Sequence, residues 1–281
     1  MLRTRVITAA ILFVAFFCAL FYLPPVAWLL FVTAVLAVAA WEWGALMRLG
    51  GMTRIALSLL LAVLCAGIGI LQPAAVGLGT ESEFRAAAWR LGAWFFLPAT
   101  FFWVAIVPVW LNKRWSLATP VLGLGTGLLL LMPAWLALLQ LRQAGPTLLL
   151  AVMMIVWLAD TGAYFAGRRF GKHKLAPAIS PGKTWEGAIG GGIAVVAYGF
   201  LMSSKLPAVL TENSLLLLLL LVAVTAISII GDLFESLLKR QAGLKDSSAI
   251  LPGHGGMLDR IDSLTSTLPF VAMIWLMATS R

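Results

Sequence analysis

Charged groups, cysteine and histidine are what this sequence is short of. Only 11% of its 281 residues are Asp, Glu, Lys or Arg, while 62% are hydrophobic; a soluble domain carries about 25% charged residues. That shortage excludes an ordinary water-soluble fold, and a mean hydropathy of +1.00 points the same way. The two cysteines, Cys18 and Cys65, fall in apolar runs without CxxC spacing or a histidine cluster, so they offer neither a disulfide framework nor a zinc site. No internal repeat is visible, and no polar stretch is long enough to make a separate soluble core. The only low-complexity tract, Leu215 to Leu221, reads as lipid contact. A small-residue cleavage site is also missing after the first apolar run. Pro24 and Pro25 lead straight into a second one, so the first reads as a membrane span and not as a removed signal peptide.

What is present is a succession of apolar runs. A hydrocarbon core about 30 Å thick asks for roughly 20 mostly apolar residues per helix. Spans are expected near Val6–Leu23, Val26–Trp43, Ile55–Gln72, Trp94–Leu111, Leu117–Leu141, Thr147–Phe165, Gly187–Met202, Ser214–Phe234 and Leu264–Thr279. The expected fold is all-α, a polytopic integral membrane protein of about nine transmembrane helices forming one unit over residues 1–281. Within it, residues 1–145 supply helices without an assigned motif, and residues 146–281 carry the catalytic helices and polar motifs.

Cytoplasmic loops of membrane proteins are enriched in Lys and Arg. With the amino terminus inside, the inner segments hold Arg3, Arg5, Arg48, Arg54, Lys113, Arg114, Arg168, Arg169, Lys172, Lys174, Lys183, Lys239, Arg240, Lys245 and Arg260, fifteen of the 20 basic residues. Arg85, Arg90, Arg142, Lys205 and Arg281 remain outside. Both polar motif regions then face the cytoplasm. Net charge +9 and pI near 10.2 could suggest nucleic acid, but these charges flank spans, so anionic lipid headgroups are the expected company. Glu42, between Trp41 and Trp43 near a span end, reads as an interfacial carboxylate or as a partner for a basic residue such as Arg48.

Two stretches concentrate the polar chemistry. In the middle one, Asp160 sits near the end of an apolar span, where an ionisable residue is a functional candidate. Gly162, Ala163, Ala166 and Gly167 beside it allow close helix approach, so packing is an equal reading for them. Ser180, Pro181, Gly182, Lys183, Thr184 and Glu186 then crowd the start of the next span. Backbone N–H groups at a helix start, with a lysine and hydroxyls nearby, suit phosphate. A Walker A loop is excluded, because its first glycine would fall at Pro177 and no strand is expected ahead of it.

The second stretch runs from Asp232 to Asp262. Asp232, Glu235, Ser236 and Lys239 would share one face of a helix. Asp232 and Asp259 could hold a hard divalent ion, which commonly shares its coordination with substrate phosphates. The competing reading pairs Asp259 and Asp262 with Lys239 and Arg260 as buried ion pairs. Gly253, Gly255 and Gly256 around His254 suggest close backbone approach to a ligand. His254 could act as a base or a phosphate donor; a phosphate monoester is already ionised near neutral pH, which favours the donor role.

Ser236, Lys239, Arg240, Lys245, Asp246, Ser248, Pro252, His254, Gly255, Gly256, Asp259, Arg260 and Asp262 stand in the pattern S-x-x-K-R-x4-K-D-x-S-x3-P-x-H-G-G-x2-D-R-x-D. With DTGAYFAGRRFGKHKLAP, SPGKTWEG and AAWEWG, the chain resembles bacterial phosphatidate cytidylyltransferases, also called CDP-diglyceride synthases. That resemblance implies CTP and phosphatidic acid as substrates, CDP-diacylglycerol and pyrophosphate as products, Mg2+ as a required ion with K+ as a second candidate, a homodimer, and a multi-pass place in the bacterial inner membrane with the site facing the cytoplasm. The expected catalytic set is Asp232, Lys239, Arg240, Lys245, Asp246, His254, Asp259, Arg260 and Asp262. Ser180, Lys183, Thr184, Glu186 and Ser236 are expected on substrate phosphate, and Asp232, Asp259 and Asp160 on the metal. Competing readings are a CTP-dependent polyprenol or phytol kinase, which would release CDP, and a secondary transporter, which would leave CTP intact. The D-G-x2-A-R-x8-G-x3-D-x3-D pattern of CDP-alcohol phosphotransferases is absent.

Overall fold

The computed structural model describes residues 2–117 and 119–279, and the side chains of all of these except 2–6 and 82. The side chains of Arg3 and Arg5, and the whole of Arg281, lie outside that description.

Proline and capping residues set most helix boundaries. α1 (Leu2–Tyr22) and α2 (Pro25–Leu46) part at Pro24, which is extended, with Pro25 at the first helical position, where its missing N–H costs nothing. α3 (Gly51–Leu71) leads through a short 3₁₀ turn, Pro73–Val76, to α4 (Glu81–Phe101). A reciprocal box between Thr80 and Glu83 starts α4. A π-turn at Phe102–Ile106, following Pro98, joins α4 to α5 (Val107–Lys113). Thr119 and Pro120 open α6 (Pro120–Ala144), and Pro146 opens α7 (Pro146–Phe170).

After α7 comes a small antiparallel hairpin. β1 (Lys174–Ala176) lies against β2 (Ser180–Thr184), with Lys174 opposite Thr184 and Ala176 opposite Ser180. α8 (Trp185–Leu201) follows directly, then the single turn α9 (Ala208–Thr211), α10 (Ser214–Ala242) and α11 (Leu258–Thr279). Asn213 caps α10 by accepting from the N–H groups of Leu215 and Leu216, and Gly243 ends it in the left-handed region at φ 77°.

Each of the nine predicted spans coincides with a helix. Seven helices among the described residues are long and apolar enough to cross a membrane; the shorter apolar ones are Ile7–Tyr22 and Trp185–Leu201. The chain is an all-α membrane protein apart from the hairpin, which the sequence reading had not placed. The boundaries also move: α10 continues past Phe234 to Ala242, and α11 starts at Leu258 ahead of the predicted Leu264. Most of the acidic motif therefore rides on helices.

Two packing features aim these helices. Phe234 of α10, fully buried, meets Phe102, Trp103 and Trp110 edge-on at centroid distances of 5.8, 5.7 and 5.3 Å. Such pairs contribute roughly 0.5–1.5 kcal/mol each, so the part of α10 bearing Asp232 and Glu235 is pinned to the π-turn and α5. α7 and α8 meet along small residues. A Cβ on Gly191 would lie 2.6 Å from the carbonyl oxygen of Ala159, and one on Gly187 would lie 2.9 Å from that of Ala163. The packing reading of these small residues holds, and it brings Asp160 on α7 beside the hairpin that precedes α8.

Candidate active site

The polar face of α10 meets two other segments. Lys183 Nζ, from β2, stands 2.6 Å from Asp232 Oδ2, while Ser236 Oγ donates to Asp232 Oδ1 at 3.2 Å. Seven residues along α10, Lys239 Nζ lies 2.6 Å from Asp259 Oδ1 of α11 and 3.3 Å from Glu235 Oε1. This cluster is nearly dry: the Lys239, Asp259 and Glu235 side chains are 12%, 4% and 6% exposed. The ion-pair reading is realised for Lys239 with Asp259.

Asp259 is held on both oxygens. Oδ2 accepts from the backbone N–H groups of Ser247 and Gly256, both at 2.8 Å, and lies 2.9 Å from the Ser247 hydroxyl. α11 crosses α10 closely just beyond. Ser266 Oγ donates to the Ile227 carbonyl at 3.0 Å, and a Cβ on Gly231 would lie 3.1 Å from the Asp262 carbonyl oxygen. Asp262 is thereby brought across from Asp232.

Two cavities flank the cluster. One, of about 520 Å³, is lined by Asp160, Ser180, Lys183 and Asp232 together with apolar Ala163 and Ile229. The other, of about 500 Å³, is lined by Lys245, Asp246, Ser248, His254, Gly255 and Arg260. A third cavity of about 300 Å³, containing Arg85 and Gln140, lies at the opposite end of α11, beside Leu276 and Thr279, and shares no residue with either. Thus both motif regions converge at one end of the bundle. Arg48 and Arg114 are there too, since Arg48 Nη2 donates to the Gln241 carbonyl at 2.7 Å and Gln241 Nε2 to the Arg114 carbonyl at 3.0 Å.

Some predicted site residues have other partners. Thr184 Oγ1 caps α8 by accepting from Gly187 N at 3.1 Å. Glu186 accepts from His173, at 2.6 Å from Nδ1 and 3.2 Å from the backbone N–H. Backbone N–H donors and His173 hold its carboxyl well below the usual range, at about 2. These two residues close the hairpin onto α8; Lys183 and Thr184 line the cavity, and Glu186 does not. Arg240 is exposed and lines neither flanking cavity.

The donor chemistry suits a hard divalent ion. Asp160 and Asp232 line one cavity, and the ammonium of Lys183 now supplies cationic charge against Asp232. Among the described residues no three acidic, histidine or cysteine side chains form a ready metal shell. An Mg2+ ion at these carboxylates would therefore complete its coordination with substrate phosphate and water, its usual habit.

Glu42 is where the sequence reading fails. It is neither interfacial nor paired with Arg48: its side chain is fully buried and accepts from Ser248 Oγ at 2.5 Å, Met257 N at 2.9 Å, Ser247 Oγ at 3.1 Å and Leu258 N at 2.5 Å. The only signal for this was a carboxylate between two tryptophans in an apolar helix. Its partners lie more than 200 residues away in sequence, beyond the reach of any local pattern.

A family model described as the cytidylyltransferase family matches residues 3–278 of this chain, nearly all of it. The chain belongs to that family. Among its relatives, a protein of Pseudomonas aeruginosa named phosphatidate cytidylyltransferase is 42% identical over 98% of this chain and 97% of its own length. One of Haemophilus influenzae with the same name is 39% identical over 98% and 99%. A third of that name, from Brucella suis, is 50% identical over 43% of this chain and 44% of its own length. The cytidylyltransferase family match includes α2 and α3 as well as the motif-bearing helices.

Proposed function

We propose that this chain transfers the cytidylyl group of CTP to phosphatidic acid, leaving CDP-diacylglycerol in the bilayer and releasing pyrophosphate. The observation that carries the reading is the pairing of two cavities around one buried charge cluster at one end of a membrane bundle. The first combines Lys183 with apolar walls and fits a phospholipid headgroup at the edge of its acyl chains. The second offers Lys245, Arg260, His254 and glycine backbone, groups that fit a triphosphate.

In the proposed reaction an oxygen of the lipid phosphate attacks the α-phosphorus of CTP in line. The bond from that phosphorus to the bridging oxygen breaks, and pyrophosphate leaves with the electron pair. The attacking monoester is already ionised near neutral pH, so no base is required and His254 serves as a donor. Lys183 orients the lipid phosphate, and Lys245 and Arg260 orient CTP and offset charge on the leaving group. Lys239 and Asp259 keep the wall between the cavities in place. Mg2+, with Asp232 and Asp160 as its proposed ligands and K+ as a second candidate ion, would neutralise the triphosphate; Asp259, expected on the ion from the sequence, has both oxygens taken by Lys239, Ser247 and Gly256. The gathering of basic residues at the site end supports a cytoplasmic orientation. A place in the bacterial inner membrane and a homodimer are parts of the same proposal.

The test incubates detergent-purified protein with α-labelled CTP, phosphatidic acid and Mg2+. Lipid-soluble label and free pyrophosphate, both dependent on every component, are expected. Release of CDP would instead indicate a kinase acting on an alcohol, and intact CTP with folded protein would overturn the reading.

A further inference from the structure

Glu42 lies on α2, in the AAWEWG stretch and far in sequence from the two polar motifs, yet it is joined to the segment that precedes α11. Its environment has no slack. Each carboxylate oxygen takes one hydroxyl and one backbone N–H: Oε1 from Ser248 and Met257, Oε2 from Ser247 and Leu258. A carboxylate buried away from water is costly unless donors surround it, and Ser248, Met257 and Leu258 supply that need, with the one hydroxyl proton of Ser247 shared between Glu42 and Asp259. Two of them are backbone N–H groups at the start of α11, which its own helix leaves unsatisfied. Glu42 thus caps α11 from a different helix, at the end where the dipole favours a negative charge.

The contact extends to the charge cluster in one step. Ser247 Oγ stands between the two carboxylates, 3.1 Å from Glu42 Oε2 and 2.9 Å from Asp259 Oδ2. Gly256, whose N–H donates to Asp259 Oδ2, passes so near that a Cβ on it would lie 2.5 Å from Glu42 Oε1. One face of the loop is fastened to Glu42 and the other to Asp259, and Arg260 follows immediately on α11.

We infer that Glu42 is a positioning residue for the transfer reaction: by clamping residues 247–258 and the first turn of α11, it fixes Asp259 against Lys239 and Arg260 in the loop cavity. The inference rests on the cytidylyl-transfer reading, but its first test does not. Glu42→Gln keeps the shape and removes the second oxygen. Either amide orientation turns an –NH2 toward a backbone N–H that cannot accept, so one end of the clamp opens. Hydrogen exchange in detergent, well below the melting temperature, should show the amides of Gly256, Met257 and Leu258 losing protection by tenfold or more, while amides in the middle of α6 are unchanged. In the CTP and phosphatidic acid assay, kcat should fall by about a hundredfold, as expected for an ångström-scale displacement of positioned groups, with the KM for CTP moving less than threefold.

Unchanged exchange at Gly256 to Leu258 would overturn the inference whatever the activity. A fall in kcat matched by an equal fall in folded protein would also overturn it, since that is loss of fold. Should Glu42→Gln fail to fold, Ser248→Ala removes one hydroxyl from Oε1 and should show the same exchange effect at smaller amplitude; no effect there counts against the clamp. A wild-type protein that produces no labelled lipid sinks the activity reading and leaves the exchange result standing on its own.

Discussion

Lys239→Met tests the charge cluster most directly. In the wild type one ammonium serves Asp259 at 2.6 Å and Glu235 at 3.3 Å, with both carboxylates almost wholly out of water. Methionine fills similar space without the charge. Removing one partner of a buried ion pair typically destabilises by about 3–5 kcal/mol, because the other charge is left uncompensated. At roughly 2–4 °C per kcal/mol for a large domain, the melting temperature in detergent should fall by about 6–20 °C. Lys239→Met combined with Asp259→Asn provides the control. The asparagine oxygen can still accept from the N–H groups of Ser247 and Gly256, and its –NH2 faces the methionine, so of the two carboxylates that the ammonium served only Glu235 is left without it. The double variant should therefore recover at least half of the lost melting temperature while remaining inactive in the labelled-CTP assay. A single variant that melts like the wild type, or a double variant no more stable than the single, would refute the claim that Lys239 holds the cluster together.

Three further outcomes follow from the site and its supports. Gly191→Ala places a methyl 2.6 Å from the Ala159 carbonyl oxygen, a backbone atom that cannot swing aside; separation of α7 from α8 should cost roughly 1–3 kcal/mol and lower activity by displacing Asp160 from Lys183, whereas equal melting curves would contradict the close packing. Asp232→Asn should raise the Mg2+ concentration needed for half-maximal activity by roughly tenfold or more, and a Mg2+ titration superimposable on that of the wild type would remove Asp232 from the ion site. Glu186, held at about 2 against an ordinary 4.5, contributes stability that is fully present above its unfolded value and is lost as pH falls toward the folded one. Exchange protection of the His173 amide should accordingly decline between about pH 4.5 and pH 2 in the wild type and stay level across that window in Glu186→Gln; a level wild-type profile would refute the hairpin clamp.

Much of this protein could be read directly from its residues. Apolar runs of bilayer length can bury their backbone polar groups only as helices, so the approximate places of the helices followed from the spacing of those runs. The prolines at 24, 25, 120 and 146 broke those runs where the helices break. The motif that places Lys239, Asp259 and Arg260 in the site was equally legible, since a charge cluster in so apolar a chain stands out from everything around it. The hairpin was not, because Ser180 to Thr184 has no period-2 apolar pattern, and strand pairing there is sustained by the His173 and Glu186 clamp.

The sequence by itself determined the membrane class, the helices and the chemical character of the site. Only the tertiary structure decided who partners whom. It set Lys183 on Asp232, Lys239 between Asp259 and Glu235, and Glu42 on the start of α11. The physical reason is range: helical periodicity and capping act over a few residues and leave their trace in the local sequence, whereas a buried carboxylate finds its donors wherever the packed helices bring them, across any separation along the chain.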